Sequence, residues 1–174
     1  MIKSVWLLLA VWSGYAQALH HELLLPFLNS TQRLPTVEDI KQNDTWWECA
    51  ELDTQPRWCS DSFQYYATSV WASITFDVQG QAGLTLYTAY SAHDWSQLQY
   101  ALRRDGFQIA EVTIADQQFS ITQQLTHYTA TELDRELVLF LNQYASQFPK
   151  QQTWWLKQRQ AQLFTDGKEI QLHL

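Results

Sequence analysis

Apolar and polar residues alternate along several stretches of the chain, and this spacing predicts β-strands. Between residues 70 and 79, valine, alanine, isoleucine and phenylalanine occupy the even positions, and serine, threonine, aspartate and glutamine occupy the odd positions from 73 onward. Strand geometry sends the two sets to opposite sides of a sheet, so one side is apolar and the other polar. Residues 84–90 follow a turn that contains Gly80 and Gly83, and we predict that they form the partner strand.

Turn residues between short alternating runs predict three further hairpins. Residues 46–52 and 57–66 flank the sequence Asp-Thr-Gln-Pro, and residues 110–114 are followed by Asp116-Gln117 and a short run with Phe119 and Ile121. Near the end of the chain, residues 162–165 and 169–174 flank Asp166-Gly167, a pair typical of tight hairpin turns. The sequence therefore predicts four strand pairs.

Capping residues followed by apolar positions at helical spacing predict three helices. Thr36 caps a short helix that ends near residue 42, and Ser91 begins a second helix that Gly106 ends. The third and longest helix begins at Thr131 and keeps helical spacing for about 16 residues until Pro149 stops it. The apolar face comprises Trp95, Leu98 and Leu102 in the second helix, and Leu133, Leu137, Phe140, Leu141, Tyr144 and Phe148 in the third.

Hairpins separated by single helices predict an α+β domain. We expect a mostly antiparallel sheet built from hairpins, with about two main helices packed on one face and one disulfide bond. Because apolar and polar residues alternate along the strands, the other face of the sheet is expected to be more exposed to solvent.

The first 18 residues have the pattern of a secretory signal peptide. Lys3 supplies a positive charge, residues 5–11 are apolar, and Ala16-Gln17-Ala18 provides the small residues that signal peptidase requires. The apolar run is shorter than the roughly 20 residues of a membrane-spanning helix, and an uncleaved anchor is the alternative. We predict a signal peptide over 1–18, an N-terminal arm with a short helix over 19–44, and a single α+β domain over 45–174. The predicted location is periplasmic or secreted.

The only two cysteines, Cys49 and Cys59, are predicted to form a disulfide bond. An exported chain folds in an oxidising compartment, and the two residues lie in neighbouring predicted strands. A redox pair is the alternative, but redox motifs usually have C-x-x-C spacing, whereas nine residues separate these cysteines. A structural bond is therefore the prediction.

The charge of the chain limits its partners. Removing Lys3 with the leader leaves 10 basic residues against 18 acidic ones, a formal charge of −8. An acidic surface repels phosphate backbones and anionic lipid, so we predict no nucleic acid partner and membrane contact only through an uncleaved leader. The charge suits a basic protein partner, although solubility alone also explains it.

No sequence motif for catalysis or cofactor binding is present. The chain has no G-x-S-x-G, P-loop, G-x-G-x-x-G or H-E-x-x-H motif and no zinc-type cluster of Cys and His. Asp77 and Glu111 are candidates for a carboxylate pair in glycoside hydrolysis, but ordinary solvation explains the polar position of Asp77. We therefore predict no enzyme activity, no cofactor and no metal.

Cleavage after Ala18 would create the terminus Leu19-His20-His21, whose donor groups suit square-planar Cu(II).

Tryptophan is abundant, and two Trp-Trp pairs occur among the nine tryptophans of the chain. Adjacent residues of a strand point to opposite faces, so one member of each pair is expected to point outward or into a second layer. Tryptophan is also enriched in binding hot spots. We therefore predict contacts with a partner at Trp46, Trp47, Trp154 and Trp155.

The sequence favours an exported, non-enzymatic protein that binds another protein, as immunity or inhibitor proteins and accessory subunits do. The predicted partner is an exported toxin or a membrane-bound protein. The alternative is a protein that binds a small apolar ligand, such as a bile salt or lipid, or a partner subunit of a membrane-bound sensor. In that alternative, the ligand chamber would be lined by Trp71, Phe76, Tyr87, Phe119 and Phe140.

Overall fold

Ten strands form an antiparallel sheet in the computed structural model, which describes residues 24–29, 31–49, 56–145 and 148–174. The strands are β1 (Trp47–Glu48), β2 (Arg57–Cys59), β3 (Phe63–Tyr65), β4 (Thr68–Phe76), β5 (Ala82–Ala89), β6 (Gln108–Ile114), β7 (Gln117–Ser120), β8 (Lys150–Leu156), β9 (Arg159–Thr165) and β10 (Glu169–His173). Their order is β1-β2-β4-β5-β10-β9-β8-β6-β7, and β3 also pairs with β4. The C-terminal strand β10 lies between β5 and β9, so it joins the two halves of the sheet.

The helices begin at residues that can satisfy backbone N–H groups. Helical residues 24–28 (α1) precede α2 (Val37–Lys41), α3 (Ala92–Arg104), α4 (Ile121–Gln124) and α5 (Ala130–Asn142). The hydroxyls that accept a first-turn N–H belong to Thr36, Ser91, Ser120 and Thr129. In α2 and α5 the bond is reciprocal, because Asp39 or Glu132 accepts a hydrogen bond from the N–H of the capping threonine.

The hydrophobic core lies on one face of the sheet, which we call the covered face. Ala72, Leu86, Leu172 and Leu163 lie side by side on β4, β5, β10 and β9, and each is fully buried. Helix α3 packs against this face through residues spaced three and four apart, namely Trp95, Leu98, Ala101 and Leu102. Burying each large apolar side chain stabilises the fold by roughly 1.5–3 kcal/mol. The core therefore fixes which side of every strand faces inward.

The described part of the N-terminal arm shares this core. Leu24, Phe27 and Leu28 are buried within the same cluster as the strand residues. The guanidinium of Arg159, at the start of β9, donates hydrogen bonds to the carbonyl oxygens of Phe27 (3.4 Å) and Gln32 (3.1 Å). The arm is thus held by apolar packing and by charge-assisted hydrogen bonds to its backbone.

The α+β class predicted from the sequence is confirmed. The sheet is antiparallel throughout, and α3 and α5 are the two long helices of the described residues. The predicted caps at Thr36 and Ser91 begin α2 and α3. The predicted hairpin at Asp166-Gly167 joins β9 to β10.

Some predicted boundaries were wrong, for local reasons. Helix α5 is capped by Thr129 and not by Thr131, because Thr129 stands three residues before Glu132 and can exchange two hydrogen bonds with it.

The predicted strand 57–66 is divided into β2 and β3. At the division, the hydroxyl of Ser60 accepts a hydrogen bond from the N–H of Ala72 at 3.0 Å, in place of a main-chain carbonyl, so the regular ladder is interrupted. Strand β8 and helix α4 were not predicted.

The disulfide bond between Cys49 and Cys59 is confirmed. It connects the end of β1 to β2, two strands that also pair through Trp47 and Cys59. The bond is compatible with an oxidising compartment outside the cytosol.

The N-terminal predictions are not tested by the structure. The signal peptide over 1–18 and the copper-type sequence Leu19-His20-His21 lie outside the described residues. Across the part of the chain that is described, none of the helices combines the length and the apolar character needed to cross a membrane.

Candidate functional site

Each Trp-Trp pair sends one indole into the core and exposes the other. Trp154 is fully buried and Trp155 is 43% exposed, while Trp46 is 7% exposed and Trp47 46%. Strand pairing from β1 through to β8 puts Trp47 and Trp155 on the same face of the sheet. Of the four predicted contact residues, Trp47 and Trp155 are therefore accessible to a partner, whereas Trp46 and Trp154 are packed inside.

Among the residues that the structure describes, the face that carries Trp47 and Trp155 contributes no side chain to the core cluster, and we call it the open face. Three rows of paired residues cross it. The first row is Trp71, Tyr87, Gln171, Phe164, Gln151, Thr113 and Gln118. The second is Trp47, Cys59, Ser73, Thr85, His173, Gln162, Thr153, Glu111 and Ser120. The third contains Arg57, Thr75 and Gly83 on one half and Gln160, Trp155 and Gln108 on the other.

Hydrogen bonds and ring stacking order the centre of the open face. The rings of Trp71 and Tyr87 are stacked, with centroids 4.0 Å apart and an interplanar angle of 9°. The hydroxyl of Tyr87 lies 3.2 Å from that of Ser73, and the Thr85 hydroxyl lies 3.0 Å from Nδ1 of His173. Burial lowers the pKa of His173, which favours its neutral form. The centre of this face is therefore uncharged near neutral pH.

The five residues of the predicted ligand chamber lie in three separate places. Trp71 and Tyr87 are stacked on the open face. Phe76 packs edge-to-face on Trp58 at 5.4 Å and lines a surface groove of about 420 Å³. Phe119 contacts Phe140 at 5.4 Å, beneath helix α5. In the described residues these side chains do not line a common chamber.

The segment of residues 121–148 exposes several large apolar side chains. Leu125, Tyr128, Val138, Leu139, Leu141 and Phe148 are each 36–54% exposed, and we call this set the helical apolar patch. Beneath it, Leu133 is buried, and the rings of Phe119, Phe140, Tyr144 and Phe148 follow one another with centroids 5.4, 5.6 and 6.1 Å apart. Helix α5 is thus anchored on one side and left uncovered on the other. Helical spacing placed Leu141 and Phe148 on the apolar face of the predicted helix, and their exposure was not predicted.

A second feature that the sequence did not reveal is a cluster of two phenols and a carboxylate. The hydroxyl of Tyr65 donates to Oδ2 of Asp105 at 2.5 Å, and the hydroxyl of Tyr66 donates to Oδ1 of the same residue. The guanidinium of Arg104 lies 4.8 Å from the ring centroid of Tyr66. Asp105 follows α3, Tyr65 ends β3 and Tyr66 begins the turn after it, so the cluster fastens the β3–β4 hairpin to the helix.

The cluster is expected to make stability fall at alkaline pH. Burial and the Asp105 carboxylate raise the pKa of Tyr65, and burial and its hydrogen bond to Asp105 raise the pKa of Tyr66 to about 12. Both phenols keep their protons in the folded state at a pH where the unfolded chain loses them. Their contribution to the free energy of unfolding is therefore complete below about pH 10 and is lost as the pH rises above that value.

Urea unfolding at about pH 8 and about pH 11 measures this loss. At pH 8 the double variant Tyr65→Phe, Tyr66→Phe is expected to have a lower free energy of unfolding than the unaltered protein. Between pH 8 and pH 11 its free energy of unfolding is expected to fall by less. The remaining tyrosines are common to both proteins and cancel in the comparison. An equal loss in the two proteins would show that the cluster is not the cause.

The two carboxylates Asp77 and Glu111 lie at separate places on the sheet, after β4 and in β6. Oδ1 of Asp77 accepts hydrogen bonds from the N–H groups of Gln79 and Gln81, both at 2.8 Å, and so stabilises the β4–β5 turn. Glu111 lies on the open face between Thr153 and Ser120. Within the described ranges, no group of three or more His, Cys, Asp or Glu residues is arranged to hold a metal ion.

Comparisons with protein-family models, with curated proteins and with solved structures found no match to this chain.

Proposed function

We propose that the chain is an exported, non-enzymatic protein that binds another protein, as an immunity or inhibitor protein or as an accessory subunit. The observation that carries this proposal is the helical apolar patch. Exposed apolar surface costs about 25 cal/mol per Å², and extended apolar patches on soluble proteins usually mark an interaction site. A partner that covers the patch removes that cost.

Helix α5 offers a regular contact surface. Val138 and Leu141 are 54% and 36% exposed and stand one helical turn apart, so they lie side by side. Leu133 is buried and the Phe140 ring lies on Phe119, which holds the helix in place. A fixed helix with apolar side chains one turn apart suits a partner that receives a helix in a groove.

The charges of α5 indicate the chemistry of the partner. Glu132, Asp134 and Glu136 outnumber Arg135 within this helix, and the chain as a whole is acidic. Complementary potentials favour encounter and specificity. We therefore expect a partner protein with an apolar groove bordered by basic residues.

The proposed compartment rests on the leader pattern and the disulfide bond. A leader of signal-peptide pattern and an oxidised cysteine pair both suit export to the periplasm or beyond. In that location the partner is an exported toxin or the external part of a membrane-bound protein, including a sensor. Trp47 and Trp155, which the sequence also predicted as contact residues, lie on the open face and are not part of the surface proposed here.

Site-specific photo-crosslinking in native cells tests this proposal. A crosslinking residue at position 138 is expected to capture one discrete protein, because this side chain lies in the patch. The same residue at Tyr100, which is 60% exposed on α3 and outside the patch, is the matched control and is expected to capture none.

The captured protein is then purified and titrated with the full mature chain. The double variant Val138→Ser, Leu141→Ser is expected to weaken binding at least about tenfold, because both lost side chains are apolar contacts, while Tyr100→Ser leaves it unchanged. Capture at position 138 of only a second copy of this chain, no capture at all, or unaltered binding by the double variant would each reject the proposal.

A further inference from the structure

The open face is unusual in having few charges. Designs of soluble proteins aim for charged residues at about 25–35% of surface positions. Arg57 and Glu111 are the charged residues of the three rows, since burial lowers the pKa of His173. Glu169 lies beside the rows, on the same side of β10 as Gln171, and accepts a hydrogen bond from the Gln171 amide at 2.9 Å. Most other positions hold glutamine, threonine or serine. The described face therefore offers many neutral hydrogen-bonding groups at regular intervals.

Glutamine and hydroxyl side chains suit a partner that is itself both donor and acceptor. A glutamine amide offers two N–H donors and a carbonyl acceptor, and a threonine or serine hydroxyl both donates and accepts. Gln171, Gln162 and Gln151 lie on three adjacent strands, β10, β9 and β8. Gln162 is offset by two residues from the row of Gln171 and Gln151, so neighbouring amides lie diagonally, about 7–8 Å apart.

Aromatic side chains lie within the same rows. Phe164 shares a row with the stacked pair of Trp71 and Tyr87, two strands from Tyr87, or about 10 Å across the sheet. Trp155 lies on β8, which pairs with the β9 strand of Phe164, and is 43% exposed. Aromatic rings supply apolar platforms without adding charge.

We propose that the open face binds an uncharged, hydroxyl-rich glycan chain. Phe164, Trp155 and the Trp71–Tyr87 pair provide apolar contact with the C–H faces of sugar rings, and the glutamines between them hydrogen bond to the sugar hydroxyls. This ligand class combines apolar ring faces with hydroxyl edges and has no charge, which matches the composition of the rows.

Other occupants fit the face less well. Nucleic acid and anionic lipid need a cluster of cations, and Arg57 is the single lysine or arginine in the three rows. A protein partner of the type proposed for the helical apolar patch needs a contiguous apolar core to its interface, whereas glutamines separate the aromatic residues of this face. The proposal concerns a surface distinct from the patch and stands independently of it.

Isothermal titration of the full mature chain with soluble oligosaccharides tests the proposal. Uncharged β-linked glucose and N-acetylglucosamine hexamers are the probes, and a galacturonic acid hexamer of equal length is the charged comparison. Binding of at least one uncharged hexamer is expected, with weaker or no binding of the charged one. Binding is also expected to change little with salt, since no ion pair is involved.

Two variants locate the binding surface. Trp155→Ala and Phe164→Ala are each expected to weaken binding roughly tenfold, since each removes an apolar platform. Tyr100→Ala removes an aromatic of similar exposure from α3 and is expected to leave binding unchanged. Thermal unfolding of Trp155→Ala confirms that this variant is folded. The proposal is overturned by no binding of either uncharged hexamer at millimolar concentration, by stronger binding of the charged hexamer, or by unaltered binding in both face variants.

Discussion

Replacing Trp154 by alanine is expected to lower the free energy of unfolding by about 4 kcal/mol, whereas replacing its neighbour Trp155 costs less than about 1 kcal/mol. Trp154 is fully buried between Ala161 and Ile109 of the adjacent strands, and Trp155 is 43% exposed on the open face. Truncation of a buried indole removes its apolar contacts and leaves a cavity. Truncation of an exposed indole leaves no cavity and exposes little new surface.

The hydrogen bonding of Trp154 supports the same expectation. Its indole N–H finds no partner among the described residues, so truncation breaks no hydrogen bond that could dominate the result. Urea unfolding of both single variants, with the slope of the transition compared as well as its midpoint, measures the difference. An equal fall in the free energy of unfolding of the two variants would mean that the two faces of β8 are buried to the same extent.

Removing the disulfide by the double variant Cys49→Ala, Cys59→Ala is expected to lower the free energy of unfolding by about 3 kcal/mol. The bond closes a loop with a sequence separation of 10, and a chain that is free to open this loop gains entropy when it unfolds. β1 has only two residues, so few main-chain hydrogen bonds hold this edge of the sheet. The loss is therefore expected to include local opening of β1.

Reduction of the unaltered protein is the matched control. Unfolding in the presence of a thiol reductant is expected to reproduce most of the loss, while the double variant does not respond to the reductant. Identical stability of the oxidised and reduced proteins would show that the bond contributes nothing to the folded state.

Local signals in the sequence predicted most of the fold. Thr36 and Ser91 were identified as helix caps because each precedes an acidic residue by three positions, and the structure places α2 and α3 directly after them. Asp166-Gly167 was identified as a hairpin turn by its composition alone. These features depend on neighbouring residues and therefore can be predicted without tertiary structure.

Strand β8 was missed because a polar residue occupies one of its core positions. Gln152 is 3% exposed on the covered face, where the alternation requires an apolar side chain. Its amide nitrogen donates to Oε1 of Gln99 on α3 at 3.3 Å, a partner 53 positions away in sequence. A buried amide whose hydrogen bond spans such a distance in sequence leaves no local pattern, so periodicity alone could not reveal the strand.

The candidate surfaces also depend on long-range arrangement. The sequence predicted that each Trp-Trp pair points to both sides, but not which member is buried, since that requires the position of the core. The rows of the open face arise because β10 lies between β5 and β9, which brings residues from distant segments into register. Likewise, Tyr65 reaches Asp105 across 40 positions of sequence.

Hydroxyl-radical footprinting of the native, unmodified protein most directly tests the central claim that the sheet has one covered and one open face. Oxidation of each tryptophan is measured by mass spectrometry after a brief exposure. Trp47 and Trp155 are expected to oxidise much faster than Trp46 and Trp154, in line with exposures of 46% and 43% against 7% and 0%. Oxidation of Trp154 as fast as Trp155 would contradict the assignment of the two faces and with it the open surface on which the glycan proposal depends.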